Sequence, residues 1–156
     1  INDPRTNYDG YTNLDISGTL KFWSDKTTPA PKLRIISGHV KTAKLSLVKA
    51  VIGMNNGILH ADELIGSVAA TINFLNDGAG NITILDKGKV NLGRFFINFQ
   101  KNSQCSFTIG QKEGSTLGII QWLIQNGRVS IASEKVTDVN SFLITKSGTK
   151  TTLALP

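Results

Sequence analysis

The strongest constraint on this chain is a rhythm. Short runs in which apolar and polar residues alternate are cut, about every 8–12 residues, by turn signals. Alternate side chains of a strand point to opposite faces, so each run reads as a half-buried strand. The clearest is 14–22, where Leu14, Ile16, Gly18, Leu20 and Phe22 share one face and Asp15, Ser17, Thr19 and Lys21 the other. Pro29 and Pro31 lie beyond it and stop the strand, because proline supplies no ladder hydrogen bond. Asn55-Asn56-Gly57, Asn76 to Asn81 and Asp86-Lys87-Gly88-Lys89 are turns, since asparagine and glycine accept positive φ cheaply.

Further strands are expected over 32–40, 44–52, 82–85, 90–99, 105–109, 128–132, 141–145 and 149–155. The pattern of 70–75 and 82–85 around the 76–81 turn predicts a hairpin. Two stretches carry helical spacing. Asp62 can cap a short helix through Leu64, Ile65, Val68 and Ala69, against which Gly66 counts. Leu117, Ile120 and Ile124 form a stripe with Gly127 beyond its end, although 115–126 also fits a buried strand. No repeat of fixed period stands out. The expectation is an all-β chain: an antiparallel β-sandwich, immunoglobulin-like or jelly-roll, with room for one or two short helices. At 156 residues it reads as one domain over 14–156 after a flexible polar lead-in over 1–13.

Little in the composition points to a reaction. Histidine occurs only at His39 and His60, and His60-Ala61-Asp62-Glu63 matches no recognised ligand spacing, so neither a metal nor another cofactor is expected. There is no nucleophile elbow and no phosphate loop, and the chain is read as non-enzymatic. Cys105 is the single cysteine, which excludes an internal disulfide and fits a small buried residue. Asn81-Ile82-Thr83 matches a glycosylation acceptor that the hairpin explains equally well. No apolar run nears the roughly 20 residues of a membrane helix. The start, Ile1-Asn2-Asp3-Pro4, reads as a mature or excised product whose export signal has been removed.

The net charge is +6, and it is concentrated. Between 21 and 49, Lys21, Lys26, Lys32, Arg34, Lys41, Lys44 and Lys49 face only Asp25. A basic face attracts acidic glycans, lipid headgroups or phosphate, and it also keeps a protein soluble. Trp23, Lys32, Arg34, Lys41, Lys44 and Lys49 are therefore candidate contacts of an acidic carbohydrate. Nucleic acid is a poor fit, because no DNA or RNA motif accompanies the charge.

Leu14-Asp15-Ile16-Ser17-Gly18-Thr19-Leu20 resembles the N-terminal segment of chaperone–usher fimbrial subunits, especially K88-like ones. The resemblance covers about seven residues. It implies an incomplete immunoglobulin-like sandwich completed by a neighbour's strand, a form of β-strand addition. Leu14, Ile16, Gly18, Leu20 and Phe22 would then be the exchanged ridge. The chain lacks the penultimate aromatic and the disulfide common in that family. The expected function is a non-catalytic surface or assembly protein, a fimbrial subunit or adhesin at the cell surface or outside it. Its partners would be other subunits. An acidic-carbohydrate-binding module and a viral capsid or fibre domain are the alternatives.

Overall fold

The computed structural model describes residues 7–8, 13–23 and 32–156. Along the chain run β1 (Asn7–Tyr8), β2 (Asn13–Trp23), β3 (Lys32–Ile35), β4 (His39–Val48), β5 (Val51–Met54), β6 (Ile58–Val68) and β7 (Ala70–Phe74). Then come β8 (Asn81–Ile84), β9 (Phe95–Phe99), β10 (Ser106–Ile109), α1 (Leu117–Gln125), β11 (Val129–Ile131), β12 (Glu134–Lys135), β13 (Leu143–Ser147) and β14 (Lys150–Ala154).

The described strands form two sheets, ordered β1-β3-β5-β7-β9-β11-β12 and β13-β14-β10-β8-β6-β4-β2. From β1 to β11 the chain alternates between them, and each strand pairs in parallel with the one a full circuit earlier. This is a β-solenoid, and it overturns the antiparallel sandwich. The expected strands are largely present, but their neighbours are one coil away rather than next in the chain. The predicted hairpin fails for that reason: β7 and β8 belong to different sheets.

Pairing in register stacks like on like. Leu33, Ile52, Ile72, Ile97 and Val129 form one buried column, and Ile35, Met54, Phe74 and Phe99 another that ends on Ile131. In the second sheet Val40, Leu59, Ile82, Phe107 and Leu153 do the same. Each such side chain stabilises the stack by roughly 1.5–3 kcal/mol through burial. Phe74 and Phe99 lie stacked with centroids 4.9 Å apart.

Strands β2, β4 and β6 are long because they turn a corner without breaking. The buried positions of β4 step from Val40 and Thr42 to Leu45 and Leu47, those of β6 from Leu59 and Ala61 to Leu64. The register of β2 on β4 shifts between Ile16 and Thr19. Thr42 fills the bend, its buried hydroxyl within 3.2 Å of Gly18 O and 2.9 Å of Lys44 O. The 58–70 stretch, open between helix and strand in the sequence, is strand to Val68: a three-residue step at the corner imitates helical spacing.

At the C-terminal end the direction reverses. β12 runs antiparallel to β11, β14 runs antiparallel to β10, and β13 closes the second sheet antiparallel to β14. Of the two readings open for 115–126, helix or buried strand, the chain takes the helix: α1 buries Ile120, Leu123 and Ile124. Cys105 is fully buried, as expected. Of the lead-in over 1–13, Asn7–Tyr8 pair with β3 and Asn13 opens β2; its other residues lie outside the described ones. No helix among the described residues is long and apolar enough to cross a membrane.

Candidate functional site

A broad concavity lies where the second sheet loses a strand. Ile58–Ala61 of β6 pair with β8, but β8 stops at Ile84. Beyond that point β6 keeps β4 on one side and, among the described residues, has no strand on the other. Among the described residues the Leu64 N–H, donating to Asp86 O at 2.8 Å, is the backbone tie of this half of β6 to the next coil. A groove of about 780 Å³ opens there, between Glu63 to Ser67, the 86–91 loop and Gln111 to Glu113. Ile65, 45 % exposed, stands at its edge.

The loop is built to stay in place. Gly88 adopts φ +56°, which glycine accepts at no steric cost, and its N–H donates to the Asp86 carboxylate at 2.8 Å. The Lys87 N–H donates to Gly110 O at 2.8 Å. Glu63, Asp86 and Glu113 line the groove beside Lys89 and Lys112, so its charge is mixed. Among the described residues no three His, Cys, Asp or Glu side chains converge as a metal site would need. His60 Nε2 lies 3.3 Å from Asp62 Oδ1 on β6. Acid–base or nucleophilic chemistry needs a third partner in contact, and no hydrogen bond among the described residues supplies one.

A second, smaller cavity of about 250 Å³ shares Val90 and Asn91 with the groove and extends to α1, where Gly118, Ile119 and Trp122 line it. Trp122 is 43 % exposed, with the Arg128 guanidinium 5.9 Å from its ring centroid and 5.5 Å from that of Phe96. In the sequence Trp122 stands beside the stripe of Leu117, Ile120 and Ile124 and is not among the expected binding residues. Its signal was a large aromatic next to the apolar face.

The residues expected to bind acidic carbohydrate are not gathered in one place. Arg34 and Lys32 are on β3 of one sheet, Lys41 and Lys44 on β4 of the other, and Lys49 sits at the corner between β4 and β5. Arg34, Lys41 and Lys44 are exposed. The side chains of Trp23 and Lys32 lie outside the described residues. The expected exchange ridge lies in the chain's own sheet, paired with β4. Leu20 and Phe22 are buried in the core, Leu14 and Ile16 are half-buried, and Gly18 is exposed at the register shift. Asn81 is half-buried within the ladder, its amide donating to Ser106 Oγ at 2.8 Å. No protein-family model, curated protein or solved structure matches this chain.

Proposed function

We propose that this chain is a non-catalytic surface or assembly module, a stack of β-coils that adds to another coil through the outer edge of β2. One observation carries the reading. β2 is eleven residues long and, among the described residues, is the terminal strand of its sheet, paired on β4 alone. At about 3.3 Å per residue this is an edge some 36 Å long. An unpaired parallel edge of that length is a template for main-chain hydrogen bonds from another strand.

The opposite end of the stack is different in kind. It ends in short antiparallel strands, β12 of two residues and β13 of five, and a short edge discourages addition. The asymmetry favours growth at the β2 end. Strand exchange of the fimbrial type, with the apolar ridge seated in a neighbour, would require pulling Leu20 and Phe22 out of their own core. The addition proposed here uses the main chain of β2 and leaves the ridge where it is. A place at the cell surface or outside it belongs to the same proposal.

The test is concentration-dependent mass by sedimentation, paired with amide exchange over 13–23. Higher oligomers and slowed exchange in β2 as concentration rises are expected, with β8 to β10 unchanged. A constant mass into the hundreds of micromolar, with β2 exchange unaltered, would refute the proposal.

A further inference from the structure

We infer that the cavity between α1 and the 87–93 loop is a site for a single acidic sugar ring, stacked on Trp122 with its carboxylate on Lys87. This site is distinct from the β2 edge and from the basic 32–49 segment.

Gly118 is the key residue. It lies in the first turn of α1, where glycine lowers helix stability relative to alanine. No positive φ explains it, and a Cβ built there would meet nothing within 4 Å. The glycine therefore serves neither the backbone nor a close approach; what it leaves is space. Helical side chains lean toward the helix N-terminus, so the indole of Trp122, four residues on, leans over that same turn. The missing side chain keeps the aromatic platform uncovered.

The platform is fixed from behind. Arg128 packs on Trp122 and Phe96 while its Nε donates to Gly93 O at 2.7 Å and its Nη1 to Asn126 O at 2.9 Å. Arg128 does not line the cavity, so it braces the indole without filling the space. About 250 Å³ is below the roughly 300–1,000 Å³ of pockets for drug-sized ligands, which suits one ring. The axial C–H bonds of a pyranose give it an apolar face that packs on an indole, while its hydroxyls need polar partners at the rim.

The rim supplies them. Asn91 Oδ1 accepts from the Gly93 N–H at 2.7 Å, which holds the exposed amide at the rim and leaves its NH₂ as a donor for a ligand. Lys87 lines the cavity and donates to Gly88 O at 3.2 Å, which leaves its other ammonium hydrogens for a ligand. Of the residues that line the cavity Lys87 alone is charged, so the rim is net positive and selects an anionic ring over a neutral one.

The experiment uses methyl glycosides of glucuronic and galacturonic acid, each beside its neutral parent, followed by saturation-transfer NMR and the Trp122 indole N–H resonance. At least one uronide should bind in the millimolar range and shift that resonance. Its neutral parent should bind about tenfold more weakly, the factor expected of one charge-assisted hydrogen bond. Lys87→Gln should erase that difference. Trp122→Ala should abolish binding. Gly118→Leu should also abolish it while holding or raising Tm, which separates a filled site from a lost fold. The inference fails if no uronide binds at tens of millimolar, if the neutral parents bind as well, or if Gly118→Leu binds like the native chain.

Discussion

Phe99 offers the sharpest test of coil-on-coil packing. It is fully buried in β9, stacked on Phe74 of β7 at 4.9 Å and tilted against Phe142 at 6.3 Å. Truncation to alanine should cost about 3–5 kcal/mol, the range for a buried phenylalanine that leaves a cavity. The milder Phe99→Leu and Phe74→Leu changes suit a double-mutant cycle. An aromatic pair in this geometry contributes about 0.5–1.5 kcal/mol beyond its burial, so the two should couple by about 1 kcal/mol. Ile35 belongs to the same column but sits three strands away, about 14 Å at the spacing of paired strands. Phe99→Leu and Ile35→Val should therefore add within about 0.5 kcal/mol. Urea unfolding with each single and double variant gives both numbers. Absent coupling for Phe74 and Phe99, or coupling as strong for Ile35 and Phe99, would refute nearest-neighbour stacking.

Three further outcomes follow from single sites. Thr116 is buried, its hydroxyl within 2.8 Å of Ile109 O, 3.0 Å of Thr149 O and 2.9 Å of Thr151 Oγ1. Thr116→Val strands these partners and should cost about 1–3 kcal/mol in denaturant unfolding. A Cβ on Gly78 would lie 2.6 Å from Asn55 O, a backbone atom that cannot swing away. Gly78→Ala should thus lower stability by about 2 kcal/mol or more, read as a drop in Tm. Cys105 is fully buried near Met54 O and Asn55 O. A thiol reagent should label it at the rate of opening or unfolding, and rapid labelling of the native protein would contradict that burial.

Much of this chain was legible as local pattern. Alternation located β2 and most later strands, and Asn-Gly turns fell where the coils bend. Leu117, Ile120 and Ile124 gave the spacing of α1. The ambiguity at 62–69 is instructive. Ala61 and Leu64 are both buried on one continuous strand, because the chain turns a corner between them and the inward face slips by one residue. A three-residue step is the signature of a helix only when the backbone is not bent. The candidate cavity was hidden for another reason. Gly118 and Trp122 lie about thirty residues from Lys87 and meet it only when the helix packs beside the 87–93 loop.

The amino-acid sequence by itself determined which residues face inward and where the backbone reverses, since alternation and turn chemistry act over a few neighbouring residues. Only the tertiary structure decided which strand lies beside which. Leu33, Ile52, Ile72, Ile97 and Val129 stack at separations of 19, 20, 25 and 32 residues, too uneven to read as a repeat. Backbone hydrogen bonds carry no side-chain identity, so an alternating ribbon pairs equally well with a hairpin partner or with the coil below. The contest is settled by packing the whole column, to which every coil contributes.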